Sequence, residues 1–498
     1  MLCRFLLLIP LDANTNVMVS SKVKSFSTSL LVVIISGLLW YFSNGLNGQF
    51  WYLLWIAPVP VLIFSFKASA KNAFFISFIA YLIGRLSWFS YLVTVATLVP
   101  AVVFTIMLSL IFALIVLLSR STVKKLPSWI SVIAFPVYFT VFEFLLFLFS
   151  PDGTAASIAY SQSDVLAVIQ IASITGVLGI TFLITLFPSF VALCWMNFNS
   201  RKNLVLIFSF SGILIISVLV FGIIRVSSTE KCLSVKVGLV VLEESNHTIS
   251  KNFNQKKEKE TVNLYVEEIS NLTEQGAEIV VLPERAFNMN KELQKEFTGK
   301  FTPVAKNGNA LLIAGYTNYT GENDRNSALV IDSQGNVLAN YDKNHLVTGL
   351  ERQFMPGKGA SVILSDQFKL GTAICKDLDF PDFIRDYGKA GVNLVCVPAW
   401  DFEVDAWLHS RMAILRGVEN GFSEIRAARQ GFLTISDCYG RVLHKADCSG
   451  GNKSSLIGTI KLQRKNTIFT HYGNWFGYLN LVLALALIIG TIIRKKEA

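Results

Sequence analysis

Long apolar runs constrain the fold of this 498-residue chain more than any other feature. A run of about 20 predominantly apolar residues can cross the hydrocarbon core of a bilayer as an α-helix. Runs of this kind cover residues 29–47, 48–66, 73–95, 98–119, 127–149, 165–195, 203–225 and 475–493. We therefore predict a membrane domain of seven transmembrane helices over 1–226, a soluble domain over 227–473, and a final transmembrane helix with a cytoplasmic tail over 474–498.

Basic residues between the runs predict their orientation. Cytoplasmic loops of membrane proteins are enriched in Lys and Arg. The predicted loops 44–49, 95–98 and 150–164 contain neither residue, whereas the alternate connections and both ends contain Lys22, Lys24, Lys67, Lys71, Arg120, Lys124, Lys125, Arg201, Lys202, Arg494, Lys495 and Lys496. This alternation predicts cytoplasmic termini and a soluble domain on the outer side of the membrane.

Composition agrees with a chain that meets both lipid and water. Charged residues make up only 16% of the chain, against about 25% in soluble domains. The net charge of +10 is explained by the topology signals and a solvated surface. No basic stripe interleaved with aromatic residues occurs in the soluble part, so we predict no nucleic-acid partner.

Two ionisable residues, Arg85 and Glu143, fall inside predicted spans. A charge in the hydrocarbon region is costly and usually faces a partner or a cavity. The sequence leaves two interpretations open: a structural ion pair that holds helices together, or a polar wall near a lipid headgroup site.

The soluble domain alternates short apolar runs with helical charge patterns, which indicates an α/β layered fold. We predict strands over 235–241, 278–282, 310–316, 369–374 and 392–397, hairpins over 328–341 and 432–445, and helices over 255–276, 380–390 and 405–420.

Three chemically useful residues follow predicted strands. Glu284 and Cys375 each end one, and Lys343 follows a hairpin. A thiol can attack a carbonyl, a carboxylate can take its proton, and an ammonium can stabilise the oxyanion. A cationic neighbour also favours the thiolate. The spacing alone leaves the alternative of a buried structural thiol, a turn glutamate and a solvated lysine.

The local sequences around these residues carry a family resemblance. The segments 280–284 (VVLPE), 341–346 (YDKNHL) and 371–375 (GTAIC) resemble, in the same order, the three signature blocks of the nitrilase, or carbon–nitrogen hydrolase, superfamily. The resemblance implies an α-β-β-α sandwich for 227–473.

The membrane context is similar to that of the apolipoprotein N-acyltransferase family of bacterial inner membranes. Further similar segments are 55–58 (WIAP), Glu143, 160–162 (YSQ), 176–179 (GVLG), 417–421 (GVENG) and 426–428 (RAA). The resemblance implies transfer of an acyl chain from a phospholipid to the α-amino group of a diacylglyceryl-cysteine lipoprotein, without metal or cofactor. It implies Cys375 as nucleophile, Glu284 as general base, and Lys343 with the backbone N–H after Cys375 as the oxyanion site. Glu351 would position Lys343 or assist proton transfer.

The chain also departs from the family pattern. Lys376 and Asp377 follow Cys375 where the family has an aromatic residue and Glu. Trp400 lies in the segment 398–402 (PAWDF), where the family has a stretch of the Asn-Asp-Ala-Trp-Phe type. We take Asp377, Lys376, Trp400, Glu419, Glu143 and Arg85 as substrate-binding or supporting candidates.

We expect a monomer in the bacterial inner membrane with its catalytic domain on the periplasmic side. The histidines lack metal-ligand spacing, so we predict no zinc. Cys438 and Cys448 form a disulfide or remain buried thiols. The competing functions are a membrane-anchored amidase that hydrolyses a C–N bond, and a non-catalytic binding relative.

Overall fold

The computed structural model describes residues 18–494 apart from 44, 45, 47, 229–231, 249 and 365–367. The side chains of Lys22 and Lys24, and the whole of Lys495 and Lys496, lie outside the described residues.

Seven helices in the described part of the chain are long and apolar enough to cross a membrane. They cover Phe26–Ser43, Ala70–Ala96, Leu98–Lys125, Ser128–Phe149, Val177–Met196, Arg201–Val226 and Trp475–Ile493. The run predicted over 48–66 is instead a shorter apolar segment, Trp51–Lys67. There a 3₁₀-helix over Trp51–Trp55 is followed by an α-helix over Val59–Lys67, with Pro58 at its N-cap. Proline lacks the N–H that a continuous helix needs.

The α-helices of the membrane part are α1 Met18–Ser43, α2 Val59–Lys67, α3 Ala70–Arg85, α4 Phe89–Ala96, α5 Leu98–Lys125, α6 Ser128–Ser131, α7 Ala134–Phe149, α8 Leu166–Ile169, α9 Ala172–Thr175, α10 Val177–Met196, α11 Arg201–Ile207 and α12 Ile213–Val226. The predicted span over 165–195 is thus divided, because Gly176 (φ +68°) separates α9 from α10.

The two ionisable residues of the membrane part do not form the ion pair that the sequence left open. Within the described residues no salt bridge involves either. Glu143 on α7 accepts hydrogen bonds from the Ser157 hydroxyl, the Ile158 N–H and the Thr181 hydroxyl. Arg85 lies 4.8 Å from the centre of the Trp88 ring. The ion-pair interpretation is therefore wrong.

Two sheets form the centre of the soluble domain. Their strands are β1 Ser234–Val241, β2 Ile279–Val281, β3 Phe287–Asn290, β4 Leu311–Tyr319, β5 Arg325–Ile331, β6 Val337–Asp342, β7 Ser361–Leu364, β8 Lys369–Thr372, β9 Leu394–Trp400, β10 Ser423–Arg429, β11 Phe432–Ser436, β12 Val442–Asp447 and β13 Ser454–Lys461. One sheet has the order β13-β1-β2-β4-β5-β6, with β3 beside β4, and the other has the order β12-β11-β10-β9-β8-β7. In each sheet three central strands run parallel, β1-β2-β4 and β8-β9-β10.

Helices cover the outer face of each sheet, which makes the domain an α-β-β-α sandwich as predicted. They are α13 Gln255–Glu274, α14 Lys291–Asn307, α15 Pro381–Ala390 and α16 Ala406–Asn420; α17 Ile468–Tyr472 and the membrane helix α18 Trp475–Ile493 follow the last strand. Apolar side chains from both sheets, such as Val281, Ile313, Val395 and Ile425, fill the space between them. Burial of this apolar surface stabilises the sandwich.

Helix α16 joins the two parts of the molecule. Ala413 on one face packs into the core of the sandwich. Leu408, Met412, Leu415 and Val418 pack instead into the apolar core of the membrane domain. Positions three and four apart lie on one side of a helix, so this second stripe faces the membrane part. The sandwich is thus packed directly onto the membrane part.

Candidate active site

Strand ends bring the three predicted catalytic residues to one edge of the sandwich. Glu284 follows β2, Lys343 follows β6 directly, and Cys375 begins a 3₁₀ turn, Cys375–Asp379, after β8. The Glu284 N–H donates to the Ala399 carbonyl at 3.3 Å, which ties the end of β2 to β9 of the other sheet. The carboxyl ends of parallel strands from both sheets therefore border the same site.

Lys343 lies between two carboxylates. Its Nζ is 2.7 Å from Glu284 Oε1 and 2.9 Å from Glu351 Oε2, and all three side chains are buried. Burial lowers the pKa of Lys343, but attraction to Glu284 and Glu351 outweighs burial and holds that pKa well above its usual value. For Glu351, burial raises the pKa, but Lys343 and hydrogen bonds outweigh it and leave that pKa lowered. The cluster keeps an ammonium in place beside the candidate base.

Asn326, at the start of β5, completes this cluster and was missed by the sequence analysis. Its amide Nδ2 donates to Glu284 Oε1 at 2.6 Å and to Glu351 Oε1 at 2.7 Å. Its backbone carbonyl accepts from the Lys343 N–H at 2.8 Å. One amide thus fixes the spacing of the two carboxylates around the lysine. An isolated Asn in a strand carries no motif, so no sequence signal pointed to it.

Cys375 adopts φ +42°, an uncommon conformation for a residue with a Cβ. Its Sγ donates to the Trp400 carbonyl at 3.4 Å. Burial is the main cause that raises the pKa of this thiol well above its usual value, and the negative charge of Glu284 adds to it. A raised pKa favours the protonated thiol, so a base that takes its proton assists the attack.

Asp377 joins the nucleophile turn to the lysine loop. Its Oδ1 accepts from the backbone N–H groups of Asn344 and His345 and lies 3.0 Å from His345 Nδ1. Its Oδ2 accepts from the Tyr341 hydroxyl at 2.6 Å and from the Ile374 N–H at 3.0 Å. The structure thus places this supporting candidate between the segments that hold Cys375 and Lys343.

The turn Cys375–Asp379 also contacts the membrane part. The Lys376 ammonium forms an ion pair with Asp152, in the loop after α7. The Thr154 N–H and hydroxyl both donate to the Asp379 carbonyl at 2.9 Å. A Cβ at Gly153 would lie 2.3 Å from that carbonyl oxygen, so this approach requires glycine. Lys376 is therefore a contact between domains that lies directly beside the nucleophile.

The guanidinium groups of two arginines lie close to the indole ring of Trp400. The Arg429 Cζ lies 3.6 Å and the Arg285 Cζ 5.5 Å from the ring centre. The indole N–H donates to Gln430 Oε1 at 2.7 Å. The Trp400 backbone touches the thiol, so its side chain connects the nucleophile with the two arginines.

The other supporting candidates lie elsewhere. Glu419 is at the domain interface, where it accepts from the Val177 N–H at 2.9 Å and lies 3.1 Å from Arg416. Glu143 and Arg85 are inside the membrane part. Among the described residues none of these three has a hydrogen bond or ion pair with Glu284, Lys343 or Cys375. The structure therefore does not bring them to the site.

Cys438 and Cys448 are buried free thiols that donate to Gln463 and Ala428, so the disulfide left open by the sequence is not formed. Within the described ranges no group of three His, Cys, Asp or Glu side chains is arranged to hold a metal ion. The chemistry that the site offers is covalent acyl transfer through a thiol, assisted by a base and an ammonium.

Comparisons with known proteins assign both halves of the chain. Residues 36–190 match the family described as apolipoprotein N-acyltransferase N-terminal domain, and residues 246–463 match carbon-nitrogen hydrolase. An amidase from Nesterenkonia sp. has a similar solved structure, with 19% identity and a TM-score of 0.43 over 51% of this chain and 100% of the amidase.

Curated relatives extend over nearly the whole chain. An apolipoprotein N-acyltransferase of Geobacter metallireducens is 24% identical over 89% of this chain and 92% of its own length. One of Treponema denticola is 22% identical over 95% of this chain and 98% of its own length. The two matched domains follow each other in this chain as membrane part and sandwich, and the relatives align across both. The chain belongs to the apolipoprotein N-acyltransferase family.

Proposed function

We propose that this protein moves an acyl chain from a phospholipid to the N-terminal α-amino group of a diacylglyceryl-cysteine lipoprotein, through a thioester on Cys375. One observation carries the proposal: a buried Glu–Lys–Cys cluster whose nucleophile turn is bonded to a membrane domain. The Lys376–Asp152 ion pair and the Thr154–Asp379 hydrogen bonds join the turn that carries the thiol to the membrane domain, which supports substrates that come from the bilayer.

The first half-reaction acylates the thiol. Glu284 takes the proton of Cys375 as Sγ attacks the ester carbonyl of the phospholipid. The Lys343 ammonium and the backbone N–H after Cys375 stabilise the oxyanion. The tetrahedral intermediate then collapses, the C–O bond to the glycerol breaks, and the leaving alkoxide takes the proton from Glu284. The products are a lysophospholipid and the Cys375 thioester.

The second half-reaction transfers the acyl chain to the amine. The neutral α-amino group attacks the thioester carbonyl, and Glu284 accepts a proton from the attacking nitrogen. The C–S bond breaks, the thiolate takes that proton, and an amide is released. The same base and oxyanion site thus act twice, which is the pattern of ping-pong catalysis. Glu351 serves as a positioning residue, because it contacts Lys343.

The proposed setting is the bacterial inner membrane, with the sandwich on the periplasmic side and both termini in the cytoplasm. The alternation of Lys and Arg between the apolar runs supports this orientation. It requires an even number of crossings, so the proposal takes the shorter segment Trp51–Lys67 as the eighth crossing beside the seven long helices. The protein acts as a monomer. A cysteine-accessibility experiment on intact cells tests the orientation, since an impermeant thiol reagent labels a cysteine introduced at exposed Glu322 only if the sandwich faces outside.

Mass spectrometry of the thiol tests the reaction itself. The purified protein is incubated with phospholipid alone, and we expect one acyl chain on the peptide that contains Cys375. The Cys438→Ala variant, which lacks a different buried thiol, is the matched control and still forms the adduct, whereas Cys375→Ala forms none. Added lipopeptide then removes the adduct as an N-acyl product. Release as free fatty acid in place of that product would favour the membrane-anchored amidase.

A further inference from the structure

Arg285, the residue after Glu284, is a buried cation beside the site that the proposed reaction does not use. It is 6% exposed and adopts φ +53°. Its Nε donates to the Thr317 hydroxyl at 3.1 Å, and its Cζ lies 5.1 Å from the Phe354 ring and 5.5 Å from the Trp400 ring. Among the described residues no carboxylate lies within ion-pair distance of its guanidinium. A buried charge without a counter-charge is costly.

Arg429 gives an internal comparison. It also packs on Trp400, and its Nη2 lies 3.1 Å from Glu244 Oε1. Its Nη1 donates to the Arg285 carbonyl at 3.2 Å. Of the two guanidinium groups around one indole ring, Arg429 therefore has a carboxylate partner within the protein and Arg285 has none. The difference suggests that the counter-charge of Arg285 arrives with a substrate.

The position of Arg285 limits which substrate this is. Trp400 accepts from the Cys375 thiol through its carbonyl and packs near Arg285 through its ring. One tryptophan residue thus separates the nucleophile from the guanidinium. In a phospholipid the ester carbonyl and the phosphodiester are only a few bonds apart. The acceptor brings an amine, which a guanidinium repels when protonated, whereas the donor brings an anionic phosphate.

We propose that Arg285 binds the phosphodiester of the phospholipid donor and so selects phosphate-containing lipids over neutral glycerides. The inference rests on the proposed function for its choice of ligand. A guanidinium offers a planar pair of N–H donors that fits phosphate oxygens. Packing against Phe354 and Trp400 holds that plane in one orientation, with little side-chain freedom left to lose on binding.

Equilibrium binding tests the site independently of catalysis. The full-length Cys375→Ala protein in non-ionic detergent is titrated with a short-chain phosphatidylglycerol and with the matching neutral diacylglycerol. Adding Arg285→Gln is expected to weaken phosphatidylglycerol binding by about 10- to 100-fold, as for the loss of a hydrogen bond between charged groups. Diacylglycerol binding should stay within about twofold, within the scatter expected when no specific contact is lost.

Two further variants sharpen the comparison. Arg285→Lys keeps the charge and should recover part of the lost affinity. Arg441→Gln is the control, because Arg441 also packs on an aromatic ring, Tyr439, but is paired with Asp437 and lies away from the site. It should bind both lipids as the parent does.

Several results would overturn the inference. Equal loss of both lipids in Arg285→Gln would mean that Arg285 only clamps Phe354 and Trp400, and unchanged binding of both would mean that it contacts no donor. Inorganic phosphate that binds as tightly as phosphatidylglycerol would assign the site to a free anion. The proposed function fails separately if the protein with Cys375 intact binds phosphatidylglycerol but never forms the Cys375 adduct.

Discussion

Lys376, which follows the candidate nucleophile, forms an ion pair with Asp152 of the membrane domain. Lys376 is buried, whereas the Asp152 side chain is 57% exposed. The pair lies next to the two hydrogen bonds from Thr154 to the Asp379 carbonyl. The conformation of the turn that carries the thiol therefore depends on residues more than 200 positions earlier in the sequence.

Breaking this pair should cost catalysis more than stability. Asp152→Asn leaves the Lys376 ammonium without its partner. Because Asp152 itself is largely exposed, we expect an apparent destabilisation of only about 1 kcal/mol, with a slower acylation of Cys375. Lys376→Gln in the same protein should restore part of the loss, because both charges are then absent. Thermal unfolding in detergent and the rate of adduct formation are measured for the four proteins of this double-mutant cycle. Strictly additive effects would show that the two side chains are not coupled.

Removing the Lys343 ammonium should lower both the stability of the protein and the rate of acylation. Lys343→Met leaves Glu284 and Glu351 buried without a cation, which costs about 3–5 kcal/mol for a broken buried pair. It also removes an oxyanion donor, and such a loss lowers rates by about 10²- to 10³-fold. Single-turnover acylation and thermal unfolding measure the two effects. Glu351→Gln is the comparison, since it keeps the ammonium beside Glu284, and near-equal defects in both variants would argue against an oxyanion role.

Two substitutions of Asn326 distinguish the loss of its hydrogen bonds from the addition of a negative charge. Asn326→Asp is isosteric, but it replaces an amide that donates to Glu284 and Glu351 by a third carboxylate facing them. Asn326→Leu removes the two hydrogen bonds without adding charge and should cost about 1–3 kcal/mol. We expect Asn326→Asp to be the less stable and less active of the two at neutral pH, and to improve as the pH is lowered. A more active Asp variant at pH 7 would contradict this reading of the cluster.

The ion pair between His409 and Asp405 predicts that the stability of the protein depends on pH. Its Nε2 lies 3.2 Å from Asp405 Oδ2. Burial lowers the pKa of His409, but Asp405, Asp379 and Asp401 together outweigh it and raise that pKa to about 9. A raised pKa means that the imidazolium stabilises the fold fully below the unfolded value of 6.5, and that this stabilisation is lost as the pH rises through about 9.

Unfolding of the parent and His409→Gln proteins at several pH values measures this effect. The difference in stability should be on the order of 3 kcal/mol larger near pH 6 than above pH 9, and should fall as the pH rises from about 6.5 to about 9. In the Asp405→Asn background the pH dependence of that difference should largely disappear. A difference that grows with pH would have the wrong sign for the structure described.

Much of the sandwich could be predicted because its local patterns are unambiguous. The hairpin of β5 and β6, the strand β1 and the helices α13, α15 and α16 follow apolar alternation, helical charge spacing and glycine stops. Helix α14 was missed although Leu293, Phe297, Phe301 and Val304 recur at helical spacing. Its many charges and Pro303 weakened that pattern, and its apolar face is defined only by packing on the first sheet.

The site was only partly predictable for a related reason. Glu284, Lys343 and Cys375 were found through local motifs that resemble a known family. Asn326, Arg285 and Asp152 act through contacts between segments distant in sequence, and no local pattern marks such contacts. The continuous helix predicted over 48–66 was wrong for a local reason. Hydropathy depends on composition only, and it does not show that the helix breaks at Pro58.

The bonds from the loop around Gly153 and Thr154 to the Asp379 carbonyl have a consequence for genetics. A collection of inactive variants would contain substitutions in this loop that leave membrane insertion and protein level intact. By phenotype alone these positions would be classed with the catalytic motifs, although they carry no reactive group. The sandwich expressed as a separate fragment would share that phenotype, because its nucleophile turn would lose the same bonds and α16 would expose its second apolar stripe to water.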